Sequence, residues 1–151
     1  MIGATDAPEV ILKKAEILAE DGKPDLARGT LENLLASPTA TTQHKAKTLL
    51  LLGDLLVENE KHEKAIAYYE RLYVVYGKYR DLVAKAYLRR GESLEKLDLL
   101  PEAYQVYHEL GTRKDLEEFS EADKARQRAS ALEIHAPKPE EDESTTEEAT
   151  S

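Results

Sequence analysis

Four histidines, His44, His62, His108 and His135, are the most reactive side chains in this sequence. None stands at metal-ligand spacing from another. His62-Glu63 begins the string of a helical zinc site, but the position that needs the second histidine is Ile66, so the ligand set is incomplete. Surface titration is the default reading for all four. Cysteine is absent, which removes thiolate nucleophiles, disulfides and iron–sulfur centres and leaves the redox compartment open. No glycine-rich phosphate loop and no Gly-x-Ser-x-Gly elbow occurs. The carboxylates are many but spread along polar faces. No group of residues fills the roles of nucleophile, base and oxyanion donor, so no catalytic activity, cofactor or metal is expected.

Charge narrows the choice of partner. The formal net charge is -9. Six acids and one base lie in residues 137–151, so -5 of it sits in a C-terminal tail. No basic stripe exists to neutralise phosphates, and nucleic acid is not an expected partner. The longest apolar run is Leu49–Leu52, broken by Gly53-Asp54 before Leu55-Leu56-Val57. That is far short of the ~18 residues that span a bilayer. Met1–Asp6 has neither the basic nor the apolar region of a signal peptide. The chain is expected to be soluble: cytoplasmic, or periplasmic if it is a piece of a longer protein.

The elements that position these residues follow a repeat. Strong helix formers dominate, and only seven Gly and six Pro punctuate the chain. Ala15, Gly53 and Gly91 recur every 38 residues, and so do Ala27, Ala65 and Ala103. In the same register fall Leu18, Leu56 and Leu94, then Leu31, Tyr69 and Tyr107, then Leu34, Leu72 and Leu110. Such a period predicts stacked supersecondary units that bury a core only together. Each unit reads as two helices. Unit one runs from Pro8 to Glu20, turns at Asp21-Gly22-Lys23 and resumes from Pro24 to Ala36. Unit two starts near a Thr41 or Thr42 cap, breaks at Asn59-Glu60 and stops at Gly77. Unit three runs from Arg80 to Lys96 and from Pro101 to Leu110, with Gly111 as its C-cap. A seventh helix opens on a capping-box pattern at Ser120–Asp123 and sets Ala122, Ala125, Ala129 and Leu132 on one face. Its polar remainder suits a terminal helix that solvates the last repeat. The glycines and alanines are expected at close helix crossings, and the leucines and tyrosines between hairpins.

These columns resemble the tetratricopeptide repeat. Unit two supplies Leu49, Leu52-Gly53, Leu56, Ala65 and Tyr69. Unit three supplies Tyr87, Gly91, Leu94, Ala103 and Tyr107. Departures are Leu72 and Leu110 at the later alanine, Gly77 and Asp115 at the final proline, and Arg90 at the leucine before Gly91. The period exceeds the family's usual value of about 34. The surplus falls between hairpins, and the link Tyr76–Tyr79 is similar to those of bacterial cell-envelope members of the TolA-binding and outer-membrane-assembly types. The resemblance implies an all-α fold: an α-solenoid of three helical hairpins plus a C-terminal capping helix in a right-handed superhelix. Residues 1–7 form an extension, 8–135 the repeat domain (about 8–45, 46–83, 84–121, cap 120–135) and 136–151 a disordered acidic tail.

The family binds partner segments on a concave face lined by the first helix of each hairpin. In this register unit two contributes Lys47, Leu50, Leu51, Asp54 and Val57. Unit three contributes Lys85, Leu88, Arg89, Glu92 and Lys96. Unit one contributes Leu12, Glu16 and Ala19. Leu50, Leu51 and Val57 either face the groove as an interaction patch or pack against the helix of the next unit. Lys85 and Arg89 share a helix face and match two positions of the family's carboxylate clamp, but Leu12, Glu16 and Leu51 replace the rest of it. A solvated pair balancing Glu92 is the plainer reading. Tyr68, Tyr79 and Tyr104 lie off the main register and are either half-buried or exposed anchors. The expected function is a scaffold for a protein or peptide partner, as a monomer or weak homo-oligomer without membrane insertion. A self-association module or spacer within a larger, cell-envelope assembly is the alternative.

Overall fold

The structure, a computed structural model, describes residues 6–138. Residues 1–5 of the extension and the tail from 139 onward lie outside the described residues. The elements are α1 (Pro8–Glu20), α2 (Pro24–Leu35), α3 (Thr42–Glu58), α4 (His62–Val75), α5 (Arg80–Lys96), α6 (Leu100–Thr112) and α7 (Ser120–Ala131). Short 3₁₀ turns occupy Lys114–Leu116 and Glu133–His135. Among the described residues all regular structure is helical. Each helix packs chiefly on its sequence neighbours, and α7 lies on α6 and α5. This is an α-solenoid of three hairpins closed by a seventh helix.

Local chemistry sets the helix ends. Pro8 and Pro24 take the first helical position of α1 and α2, where a missing N–H costs nothing. Thr41 caps α3: its hydroxyl accepts from the His44 amide, and His44 Nδ1 accepts from the Thr41 amide, both at 3.2 Å. His44 Nε2 meets Glu9 at 2.6 Å, so this histidine is a cap and a tie between α1 and α3. The first helix of every hairpin ends the same way. Gly22, Glu60 and Asp98 hold φ of 74°, 59° and 58°. The next amides, of Lys23, Lys61 and Leu99, donate back to Leu18, Leu56 and Leu94 at 2.9, 2.8 and 2.9 Å. That is the Schellman closure, set on one 38-residue column.

Two expected caps differ. Gly111 is inside α6, which continues to Thr112. A Cβ on Gly111 would lie 2.7 Å from Arg126 Cγ and 3.4 Å from the Arg126 backbone, so the glycine clears a path for α7. At α7 the cap residue is Phe119, with no side-chain cap bond; Ser120 is already helical, one residue too late to cap.

Packing follows the small-residue columns. Ala15, Ala27, Ala65 and Ala103 are buried, as are Gly53 and Gly91. The column tyrosines Tyr69 and Tyr107 also close their own hairpins, a contact not expected from the sequence. A Cβ on Gly53 would stand 2.3 Å from the Tyr69 ring, and one on Gly91 2.3 Å from Tyr107. Each ring therefore lies across its own hairpin's glycine. Between hairpins, Tyr73 stacks on Tyr87 with ring centres 4.0 Å apart. The Tyr87 hydroxyl donates to Glu109 at 2.8 Å, and Arg113 donates to it at 3.3 Å. Buried side chains form two clusters: a small one around Leu12, Leu31, Leu52 and Leu55, and a larger one from Ala46 through Ala129.

Candidate interaction clefts

The first helices α1, α3 and α5 touch one another far less than each touches its second helix. Clefts open between them as a result. The α1/α3 cleft holds about 450 Å³, with a floor that includes Ala15, Ala27, Leu31 and Leu55. Its rim carries Glu16, Glu20, Asp54 and Glu58. The α3/α5 cleft holds about 320 Å³ between Val57, Tyr69, Arg89 and Lys96. Asp54 and Glu58 line both, so the two adjoin. A third, also about 320 Å³, lies near the start of α1 and α3 and includes Lys47, Leu12 and Glu16.

Most of the sequence-derived groove residues converge here. Asp54, Val57, Arg89, Glu92 and Lys96 line the α3/α5 cleft. Leu51 and Asp54 line the α1/α3 cleft together with Glu16 and Ala19. Lys47 is exposed beside Leu50 and Leu51. Lys85 is half-buried and borders none of these clefts.

The leucines need correction. Leu50 and Leu88 are each only 7% exposed and belong to the larger apolar cluster. Packing between units takes most of both, the alternative drawn from the sequence for Leu50, and Leu50 keeps an edge on the third cleft. Helical periodicity could not separate the two, because a first helix in a solenoid has apolar neighbours on several sides. Leu51 and Val57 are half-buried, Leu51 on the small cluster and Val57 on the large one. Tyr68, Tyr79 and Tyr104 are also half-buried; Tyr79 shares a hydrogen bond with Thr42.

Electrostatics ties the clefts to the core. The Tyr69 hydroxyl donates to Asp54 Oδ1 at 2.7 Å, and Arg89 donates to the other oxygen of that carboxylate. Arg89 is therefore engaged, which removes half of any carboxylate clamp. Glu92 pairs with Arg128 of α7 at 3.1 Å rather than with Lys85 or Arg89. The Tyr107 hydroxyl donates to Glu95 at 2.5 Å. Burial first, then the adjacent carboxylates, push the Tyr69 and Tyr107 phenols far above their ordinary range. Burial pushes Tyr73 up to about 12. Sequence reasoning missed Glu20, Glu58, His62 and Ser93, which also line the clefts. Glu20 and Glu58 share a column with Lys96, a signal that was available.

The repeat register, the glycine–tyrosine crossings and the clefts between first helices agree with the comparison to known families. The chain belongs to the tetratricopeptide-repeat family, whose profile matches residues 12–81 and again 50–111. The two placements begin 38 residues apart, which is the repeat period. Members typically mediate protein–protein interaction, and no catalytic family is indicated. No curated protein is similar enough to the chain to match it. Among the described residues no helix is long and apolar enough to cross a membrane, and no group of three or more His, Asp or Glu could hold a metal ion.

Proposed function

We propose that this chain is a scaffold that binds a segment of a partner protein along the face made by α1, α3 and α5. The observation that carries the reading is the pair of adjoining clefts of about 450 and 320 Å³ that share Asp54 and Glu58. Together they form a continuous concavity with apolar floors and charged rims, the composition of a recognition surface. Partner contact there involves Leu51, Asp54, Val57, Arg89, Glu92 and Lys96. Lys47 lies at one end. The 38-residue period and the Tyr76–Tyr79 link support a place among cell-envelope members of the family, a reading that fractionation of source cells tests directly.

A photo-crosslinking amino acid at Glu58 should trap the partner, and the same group at Lys64 on α4 should not. Glu58→Lys with Lys96→Glu should keep the helical circular dichroism signal and abolish binding of the purified partner. Equal trapping from α4, or unchanged binding by the double variant, would remove the clefts from consideration.

A further inference from the structure

We propose that the α1/α3 cleft is an anchor site for a partner segment presenting an arginine or lysine beside a large apolar side chain. The inference rests on the groove reading above and specifies its occupant.

The repeat supplies its own template. Glu16, Asp54 and Glu92 form one column, a carboxylate in each hairpin. In hairpins two and three the following helix supplies a cation to it. Arg89 of α5 meets Asp54, and Arg128 of α7 meets Glu92 at 3.1 Å. The α3 residue that corresponds to Arg89 is Leu51. Lys47 of α3 borders the third cleft together with Glu16, but among the described residues no ion pair joins α3 to Glu16. Its ion pair is with Lys13 on its own helix, at 3.3 Å between largely exposed side chains, a weak contact.

A second group is missing at the same place. In hairpin two the Tyr69 ring crosses Gly53 and sets its hydroxyl on Asp54. Hairpin one has Ala15 and Leu31 in those columns. Leu31 is too short to reach Glu16, and the volume stays open. This is why the α1/α3 cleft is larger than its neighbour, and why its floor reaches Ala15, Ala27 and Leu31, otherwise core residues. No lysine or arginine lines it, whereas Glu16, Glu20, Asp54 and Glu58 do. Hairpin one thus lacks an apolar ring and a guanidinium where its sister hairpins have both. An apolar side chain entering the cleft between Ala19 and Leu51, above the buried Leu31, and a cation on Glu16 replace them. An arginine stem is itself apolar and packs along such a floor while its head meets the acids.

The probes are fluorescein-labelled peptides repeating Leu-Arg-Gly-Ser, with Leu-Glu-Gly-Ser and Ser-Arg-Gly-Ser as counterparts, titrated into the full chain by anisotropy and by amide chemical shift. The Leu-Arg peptide should bind and shift Ala19, Leu51 and Glu58, with affinity falling as salt rises. Leu51→Arg installs the missing cation and should weaken binding by about tenfold or more, the size of one charge-assisted contact. Ala15→Gly with Leu31→Tyr rebuilds the crossing, fills the cleft and should do the same while thermal unfolding shows the fold intact. If one of these variants fails to fold, the other decides. Equal binding of the Glu or Ser peptides, or unchanged affinity in both variants, overturns the proposal. Shifts confined to Val57, Arg89 and Lys96 overturn it and leave the groove reading standing. Shifts confined to α2, α4 and α6 sink both.

Discussion

Hairpin one and hairpins two and three share a register but are sealed differently. The later two lay a tyrosine across a glycine and tie its hydroxyl to a carboxylate of the first helix. Hairpin one places leucine over alanine and leaves a cleft. A repeat therefore conserves where side chains meet without conserving how tightly they close. Function can occupy the loosest unit while the others carry stability.

The sharpest probe separates shared positions from unit-specific ones. Leu12, Leu50 and Leu88 are one column, buried in all three hairpins. Leu50→Glu or Leu88→Glu should lower unfolding free energy by roughly 3 kcal/mol or more, because a charge is left without water or partner. Leu51→Glu, half-buried at the open cleft, should cost below about 1 kcal/mol. Urea denaturation measures both, and equal costs would erase the distinction.

Next in size is the crossing itself. Gly91→Ala should cost about 1–3 kcal/mol although alanine is the better helix former, since its Cβ would stand 2.3 Å from the Tyr107 ring. Adding Tyr107→Leu recreates the pair of hairpin one. A double-mutant cycle should then show favourable coupling of about 1 kcal/mol. Additivity would mean that the two residues do not read each other.

All eight tyrosines lie after residue 67, none in hairpin one. Folding holds Tyr69 and Tyr107 neutral well above the usual phenol range and Tyr73 up to about 12. Above a pH of about 10 the unfolded chain releases protons that the folded chain keeps. Stability is thus fully present below that pH and is lost as pH climbs toward the folded-state values. The urea midpoint should fall over this range, and Tyr69→Phe should flatten the fall. A profile unaffected by Tyr69→Phe would show that this phenol does not drive it.

The smallest effect tests the turns. Glu60→Gly should stabilise by about 1 kcal/mol, by relieving a left-handed backbone that glutamate tolerates poorly. Gly22→Ala should destabilise by about as much, and Asp98→Gly should gain less because aspartate accepts that conformation. Thermal melting ranks the three.

Much of this architecture was legible before any coordinates. The small-residue columns and the prolines located all six hairpin helices, because backbone rules act locally and repeat with the unit. The left-handed turn column was hidden, since only Gly22 announces it while Glu60 and Asp98 do not. Gly111 read as a stop, although the tertiary approach of Arg126 is what requires it. Register, read through the family resemblance, had already set Asp54, Val57 and Arg89 on the helix faces that line the clefts. The placement of Leu50 and Leu88 depends on which of several apolar neighbours wins, and that choice is not encoded in spacing.

The two apolar clusters meet inside α3, which gives Leu52 and Leu55 to one and Leu49 and Leu56 to the other. That helix should therefore be the seam along which the molecule parts first. Thermal fluctuation should peel α1 and α2 away while the remainder stays assembled, so amide exchange should be fastest there. A ligand bridging α1 to α3 would act as a clasp across that seam, and occupancy would be readable as slowed exchange in the first hairpin alone.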